Sequence, residues 1–306
     1  MNNITEKLLN MISDFSENFK GAYNIREDGG CAARQSTENI KIESKEDGPG
    51  LVIKVNPNTK GETVYIPACV TKGGIDDLVY NDFYVGENAD IVVVAGCGVH
   101  NEDDSESSHN GIHRFFIGKG AHVLYKEKHI GIGNSKGLKR IDPVTDIFIE
   151  EDGVMEMDTT QIGGVDSTIR KTEAVLKSRA KLIINEHLLT EKNEVAKSDF
   201  NVLLNGEDAG VDLISRSVAK DNSHQEYHSK ISGNTRCTGH SECDAILVGN
   251  GTVNAVPELF AGHIDASLIH EAAIGKIAGE QILKLKTLGL TDEEAEQKII
   301  EGFLKV

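Results

Sequence analysis

Between about Asp90 and Leu268 the chain is a succession of short β-branched runs, each closed by a corner where glycine or another small residue stands beside Asp or Asn. The runs are Asp90–Ala95, His113–Ile117, Ala121–Tyr125, Asp146–Ile149, Val154–Met157, Lys181–Ile184, Asn201–Leu204, Val211–Ser215 and Ala245–Val248. The corners Gly118-Lys119-Gly120-Ala121, Glu151-Asp152-Gly153-Val154, Glu207-Asp208-Ala209-Gly210 and Asn250-Gly251-Thr252 recur at irregular intervals that cluster near roughly 30 residues, a solenoid-like spacing. With no Trp and 5% aromatic residues, the chain is poorly supplied for a thick sandwich core, whereas stacked β-coils can be filled with Val, Ile, Leu and Ala. The pattern therefore predicts a mainly β protein built on a β-solenoid, with a sandwich or jelly roll as the competing fold.

Helical patterns flank this core. Residues 5–19 place Leu8, Leu9, Met11, Ile12, Phe15 and Phe19 at helical spacing, which predicts an amphipathic N-terminal helix. A turn-rich stretch through Gly29-Gly30-Cys31 and Asp47-Gly48-Pro49-Gly50 reads as irregular, followed by a strand at Leu51–Val55. At the C-terminus Ile274, Ile277, Ala278, Ile282, Leu285 and Leu288 are at helical spacing, with Gly289 as the stop. Thr291-Asp292-Glu293-Glu294 then has the form of a capping box, opening a helix with Ala295, Ile299, Ile300 and Phe303 on one face. Three regions follow: 1–89, an N-terminal helix with irregular and β segments; 90–269, the solenoid; 270–306, a helical hairpin.

A formal charge of -17 over 306 residues repels phosphate backbones and anionic lipid, so nucleic acid and membrane surfaces are not expected partners. The N-terminus lacks the basic and apolar segments of a signal peptide, and five scattered cysteines make no disulfide framework; a cytoplasmic protein with reduced thiols is expected.

Cys243, in Ser241-Glu242-Cys243-Asp244-Ala245-Ile246-Leu247, is the first candidate for chemistry. A free thiol is roughly a tenth or less ionised at neutral pH, and the acidic neighbours Glu242 and Asp244 would raise its pKa further. That argues against a nucleophile, while a bound metal would deprotonate the thiol outright. The alternative is a core cysteine beside Ala245-Ile246-Leu247. His270-Glu271 is placed where a strand is expected to give way to a helix; adjacent strand residues point to opposite faces, so the two need not serve one site within one copy of the chain. Imidazole and carboxylate both suit iron, and a half-buried His beside a surface Glu is the plain alternative.

A second cluster runs Cys97-Gly98-Val99-His100, then His109 and His113. Its Cys-x-x-His and His-x-x-x-His spacings fall within the range of zinc sites, and glycines flank Cys97. The loop between, Glu102-Asp103-Asp104-Ser105-Glu106, reads as solvated. His224 and His228 share a face if their segment is a strand, as site residues or as part of a surface ladder. No Gly-x-x-x-x-Gly-Lys-Ser/Thr phosphate loop and no Gly-x-Ser-x-Gly elbow is present.

Residues 231–306 carry, in order, Gly233-Asn234-Thr235-Arg236, Glu242-Cys243-Asp244-Ala245-Ile246-Leu247, His270-Glu271-Ala272, Gly275-Lys276-Ile277, Glu280-Gln281 and Leu288-Gly289-Leu290-Thr291 through Gly302-Phe303. This combination resembles the SufB/SufD family of iron–sulfur cluster assembly scaffolds, in a short form like that of minimal assembly systems. The resemblance implies a right-handed parallel β-helix that dimerises through its core, with the C-terminal helices gripping an ABC-type ATPase that hydrolyses the ATP. It implies a non-enzymatic scaffold that takes sulfur from a cysteine-derived donor and passes its cluster to apo-protein recipients. It further implies that Cys243, His270 and Glu271 are ligands of a transient iron–sulfur cluster at the interface of a homodimer. The larger scaffolds carry another cysteine inside the β-helix for sulfur delivery, for which Cys97 and Cys237 are the candidates here. Two rival readings are a β-helix carbohydrate-active enzyme with paired carboxylates and a solenoid with a structural zinc at Cys97, His100, His109 and His113.

Overall fold

The computed structural model describes residues 2–13, 19–133 and 136–305. The chain passes alternately between two sheets. The first stacks Ala22–Glu27, Lys60–Val70, Asp90–His100, His122–Ile132, Val154–Ile162, Lys181–Thr190, Ala209–Ala219, Cys237–Leu247 and Ala266–Lys276. The second stacks Gly50–Val55, Asp76–Val85, Ser107–Ile117, the broken pair Lys139–Ile141 and Val144–Ile149, Ser167–Leu176, Val195–Leu204, His224–Gly233 and Thr252–Ala261. Successive strands in both stacks pair in parallel, giving a β-solenoid of about eight turns. The coils thus continue on both sides of residues 90 and 269.

The repeating corner explains why Asp, Asn and Gly recur. Asn88, Gly120, Asp152, Arg179 and Asp208 occupy the left-handed region, with φ between 55° and 63°, where Gly, Asn and Asp are most at ease. Each is followed by a small residue, Ala89, Ala121, Gly153, Ala180 or Ala209, and the four alanines are buried at the fold of the coil. The N–H of each left-handed residue donates to a carbonyl of the next coil, to Lys119, Glu151, Ser178, Glu207 and Arg236 in turn. Arg179 carries its unfavourable φ with its guanidinium clamped by Asp152 (2.6 Å) and Glu151.

Inside, one half of the solenoid is apolar and the other polar. In the apolar half, Ile91, Val123, Met155, Leu182, Val211, Gly239 and Leu268 form one in-register column. Phe83 and Phe115, in the same apolar core, stack on each other at 4.4 Å. In the later half of the first-sheet strands from His122–Ile132 onward the inward positions turn polar, and the column reads Glu127, Thr159, Glu186, Ser215, Cys243. The buried carboxylate of Glu127 accepts from Arg170 (2.6 Å) and Tyr125 (2.7 Å), and Glu186 accepts from Ser198 and Ser215. Burial opposes the ionisation of Glu127, but Arg170 and His129 more than offset it and hold the carboxyl well below the ordinary range.

The ends differ. At the N-terminal end the stretch expected to be irregular forms two antiparallel edge strands, Gly30–Gln35 on Ala22–Glu27 and Ile40–Ser44 on Gly50–Val55, which cover the first coil. The helix α1 (Asn3–Ser13) lies on the outside of the first sheet and buries Leu8, Leu9 and Ile12 against Ile25 and Cys69. Phe15, counted in the expected helix, lies outside the described residues. At the C-terminal end, Thr252–Ala261 and Ala266–Lys276 pair on one side only, and Phe260, Ile264 and Ile269 are exposed.

Two helices follow, α2 (Gly279–Lys286) and α3 (Asp292–Leu304). The helical pattern expected from Ile274 begins later, because residues through Lys276 pair with the preceding coil. Thr291 and Glu294 close the capping box, with bonds of 3.2 and 2.8 Å. The helix α3 buries Ala295, Ile300 and Leu304, the last two against Leu189 and Val218 of the solenoid, whereas α2 buries no residue. No helix of the described residues is long and apolar enough to cross a membrane.

Replacing Arg170 with Met leaves two buried carboxylates, Glu127 and Glu186, without their guanidinium; the expected loss is about 3–5 kcal/mol in chemical denaturation. Because folding depresses the Glu127 carboxyl, its contribution is present above the ordinary carboxylate range near about pH 4 and is lost as pH falls through and below it, so an acid titration of the variant should show a shallower decline than wild type.

Candidate functional site

Cys243 sits in the middle of the Cys237–Leu247 strand, where alternate residues Cys237, Gly239, Ser241, Cys243 and Ala245 face the interior. The thiol is 3% exposed and stands in the polar column directly after Ser215 and Glu186. Its pKa is pushed up to about 12, first by burial, then by the charge of Glu186 and of Asp244. The acidic neighbour in sequence contributes, as expected, but the leading cause is desolvation, and Glu186 arrives from two coils away. Ser241 beside it bonds to the hydroxyls of Tyr227 (3.0 Å) and Ser229 (2.8 Å). At neutral pH the group is a buried thiol beside hydrogen-bonded hydroxyls, unreactive until a cation stabilises its ionised form.

His270 and Glu271 lie within the last strand, Ala266–Lys276, and not at a strand-to-helix junction; parallel pairing with the previous coil keeps the chain extended six residues past His270 to Lys276. In register, His270 pairs with Ser241, Glu271 with Glu242, and Ala272 with Cys243. His270 therefore shares the inward side with Cys243 at the open mouth of the solenoid, and Glu271 stands on the outer side above Glu242. Both are exposed. One copy of the chain brings the imidazole and the thiol to the same side of adjacent strands and puts the Glu271 carboxylate on the opposite side.

Arg216 reaches Glu242 at 3.2 Å, on the outer face below Glu271. The Glu242 carboxyl is raised by burial and by Asp244, its neighbour on the same outer face. The polar column itself was not foreseen from the sequence. The signal for it is the coil period: polar residues at Glu127, Glu186 and Ser215 fall on the inward parity of strands separated by whole coils.

The second histidine cluster divides. Cys97, His109 and His113 face the interior, whereas His100 sits at the end of its strand with ring nitrogens near the Thr71 carbonyl and Glu102, each at 3.4 Å. The glycines flanking Cys97 make room for α1 rather than for an ion: a Cβ at Gly96 would lie 2.6 Å from the Ile12 carbonyl oxygen, and one at Gly98 2.7 Å from Leu8 Cδ2. His224 and His228 share the outer face of their strand, flanking Glu226. Cys237, the other candidate for sulfur entry, lines the interior at the start of the strand that carries Cys243.

Alkylation at pH 8 should reach the exposed Cys31 first and Cys243 at least about tenfold more slowly, because so little of a buried high-pKa thiol is thiolate; peptide mass spectrometry over time checks this, and equal rates would contradict the burial of Cys243.

Comparison with known proteins gives the chain's family. The profile of the SUF system FeS cluster assembly SufBD core domain matches residues 81–303. The chain is 27% identical over 269 residues to an iron-sulfur cluster assembly SufBD family protein of Methanothermobacter thermautotrophicus, an alignment covering 86% of this chain and 64% of that protein. It is 27% identical over 275 residues to a protein of the same description from Archaeoglobus fulgidus, covering 89% and 73% of the two chains. For one from Methanocaldococcus jannaschii the identity is 29% over 275 residues, with 88% and 86% covered. The chain thus spans less than two thirds of the first of these relatives and most of the third. With a family profile that matches residues 81–303, well over half of the chain, the chain belongs to the SufBD family of iron–sulfur cluster assembly proteins.

Proposed function

We propose that this protein is a scaffold on which an iron–sulfur cluster is assembled and from which it is transferred, with Cys243, His270 and Glu271 as its cluster ligands and a homodimer as its working form. The observation that carries the reading is the unprotected last coil. Soluble proteins usually cover or blunt the edge strands of their sheets, and this one does so at its N-terminal end only. At the other end two strands offer unpaired backbone edges beside exposed Phe260, Ile264 and Ile269, and the last strand carries both His270 and Glu271. A second copy meeting this edge would supply the missing hydrogen-bond partners and bring its own His270 and Glu271 close to the first copy's Cys243.

The ligand set suits temporary custody. A thiolate binds iron firmly, while imidazole and carboxylate exchange more readily than further thiolates would. The ATPase of the assembly system is proposed to dock on α2, whose Leu283 is exposed and none of whose residues is fully buried. The scaffold would work in the cytoplasm, hydrolyse nothing itself, take sulfur from a cysteine-derived donor and pass clusters to apo-proteins.

Anaerobic reconstitution with ferrous iron and sulfide should give iron–sulfur absorption that Cys243→Ser reduces severalfold; equal cluster content in the variant would remove Cys243 from the ligand set. For docking, Leu283→Glu should abolish co-purification of the ATPase while thermal unfolding stays unchanged, and retained binding would refute the role of α2. Truncation before Thr291 is the poorer test, because it uncovers Leu189 and Val218 of the solenoid.

A further inference from the structure

Near the covered end, remote from Cys243, the solenoid encloses a cavity of about 30 Å³ lined by Cys97, His109, Gly111, His113 and His129 among others. A space of this size takes a water molecule or a single ion. The hydrogen bonds around it fix which ring nitrogens carry lone pairs. His109 Nδ1 lies 3.0 Å from Asp77, so Nδ1–H donates to that carboxylate and Nε2 is the nitrogen left over for another partner. Tyr125 donates its hydroxyl proton to Glu127 at 2.7 Å, which obliges it to accept from His113 Nδ1 at 2.9 Å; the lone pair of His113 is again at Nε2. His129 turns Nε2 toward Glu127 at 3.4 Å, and its Nδ1, on a side chain 3% exposed, has no partner.

Each of these three imidazoles therefore has one nitrogen committed, directly or through Tyr125, to a carboxylate, and the other left over; that of His129, Nδ1, is buried without a partner. That is the arrangement in which histidines are oriented for metal binding. The two Nε2 atoms converge on Gly111: a Cβ built there would lie 3.0 Å from that of His113 and 3.5 Å from that of His109, so glycine leaves vacant the space between them. Cys97 stands beside His129 in the parallel register and faces the same interior.

We propose that this cavity binds one divalent transition-metal ion of borderline softness, held by Nε2 of His109 and His113 and by the Cys97 thiolate, with His129 Nδ1 as the available fourth donor. Zinc and ferrous iron both match a mixed imidazole and thiolate donor set. Among the described residues no three donors are already gathered for an ion, so binding requires the donors that line the cavity to close on it. Burial holds the Cys97 thiol well above its ordinary pKa; the ion displaces that proton to solvent and replaces it with a metal–sulfur bond. The site is independent of the cluster ligands proposed at the open end.

The test uses the full chain carrying Cys243→Ser and His270→Ala, so that the open end does not contribute. Cobalt(II) is supplied both during expression and to the purified protein, so that burial of the cavity does not decide the result. The expected outcome is one equivalent of cobalt per chain with a thiolate-to-cobalt charge-transfer band. Cys97→Ser should remove that band, and His109→Gln with His113→Gln should abolish stoichiometric binding. Gly111→Ala, which fills the vacant space while keeping every donor, should weaken binding at least about tenfold with an unchanged melting temperature; it keeps the test decisive if the histidine variants do not fold. A folded parent that takes up no stoichiometric cobalt, or binding indifferent to Gly111→Ala and Cys97→Ser, would overturn the proposal.

Discussion

Every feature of this protein depends on the in-register parallel ladder. Because each strand in the body of the solenoid bonds to the coil before it and the coil after it, residues of one column must share a side, and neighbours in sequence must alternate between interior and solvent. A slip of one residue in any coil would put Glu127 or Glu186 where an outer residue belongs and turn an outer residue inward. The corner with its left-handed Asn, Asp or Gly and the buried alanine after it sets the start of each strand and so keeps the register from drifting.

That regularity lets the interior be divided. The first half of each first-sheet strand supplies Val, Ile, Leu and Met, and burying such side chains drives the coils together. The second half supplies Glu127, Glu186, hydroxyls and His129, and Arg170 meets them from the opposite sheet. A buried charge is tolerable only when paired and hydrogen-bonded, and here Arg170 spans Glu127 and Glu186 while serines and Tyr125 satisfy the remaining oxygens. Hydroxyls of Tyr227, Ser229 and Ser241 carry the polar half onward to the level of Cys243.

This division also explains what could be read from the sequence. All nine β-branched runs lie in strands of the solenoid, apart from a residue or so at their margins, because apolar inward residues leave a visible pattern. The strands prove about twice as long as those runs, since their other halves bury Glu, Ser, Thr and His, which by composition look like loop. Lys60–Val70 and Asp76–Val85 went unrecognised although both are strands, and the glycines around Cys97 suggested an ion when their task is to admit α1. The capping box at Thr291 was fully legible because it is local. Cys243, His270 and Glu271 could be singled out from sequence, but their faces could not: that His270 lies on the side of Cys243 and Glu271 on the other follows only from the Ser241–His270 register.

The same register bears on where a shared site can form. Within a coil, the side chains of adjacent residues diverge, so no rotation of Glu271 brings it to the inward side occupied by His270 and Cys243. Deeper in the solenoid the two sides are separated by a paired sheet. At the last strand the sheet ends, and inner and outer faces meet along one unpaired edge. A group as large as a metal cluster could touch donors of both faces only there, and only with ligands from beyond the edge completing its coordination. On the proposed reading the open end is therefore not an unfinished solenoid: it is the one position on this fold where a thiol kept protonated by burial, an imidazole and a carboxylate of opposite parity can reach a common occupant.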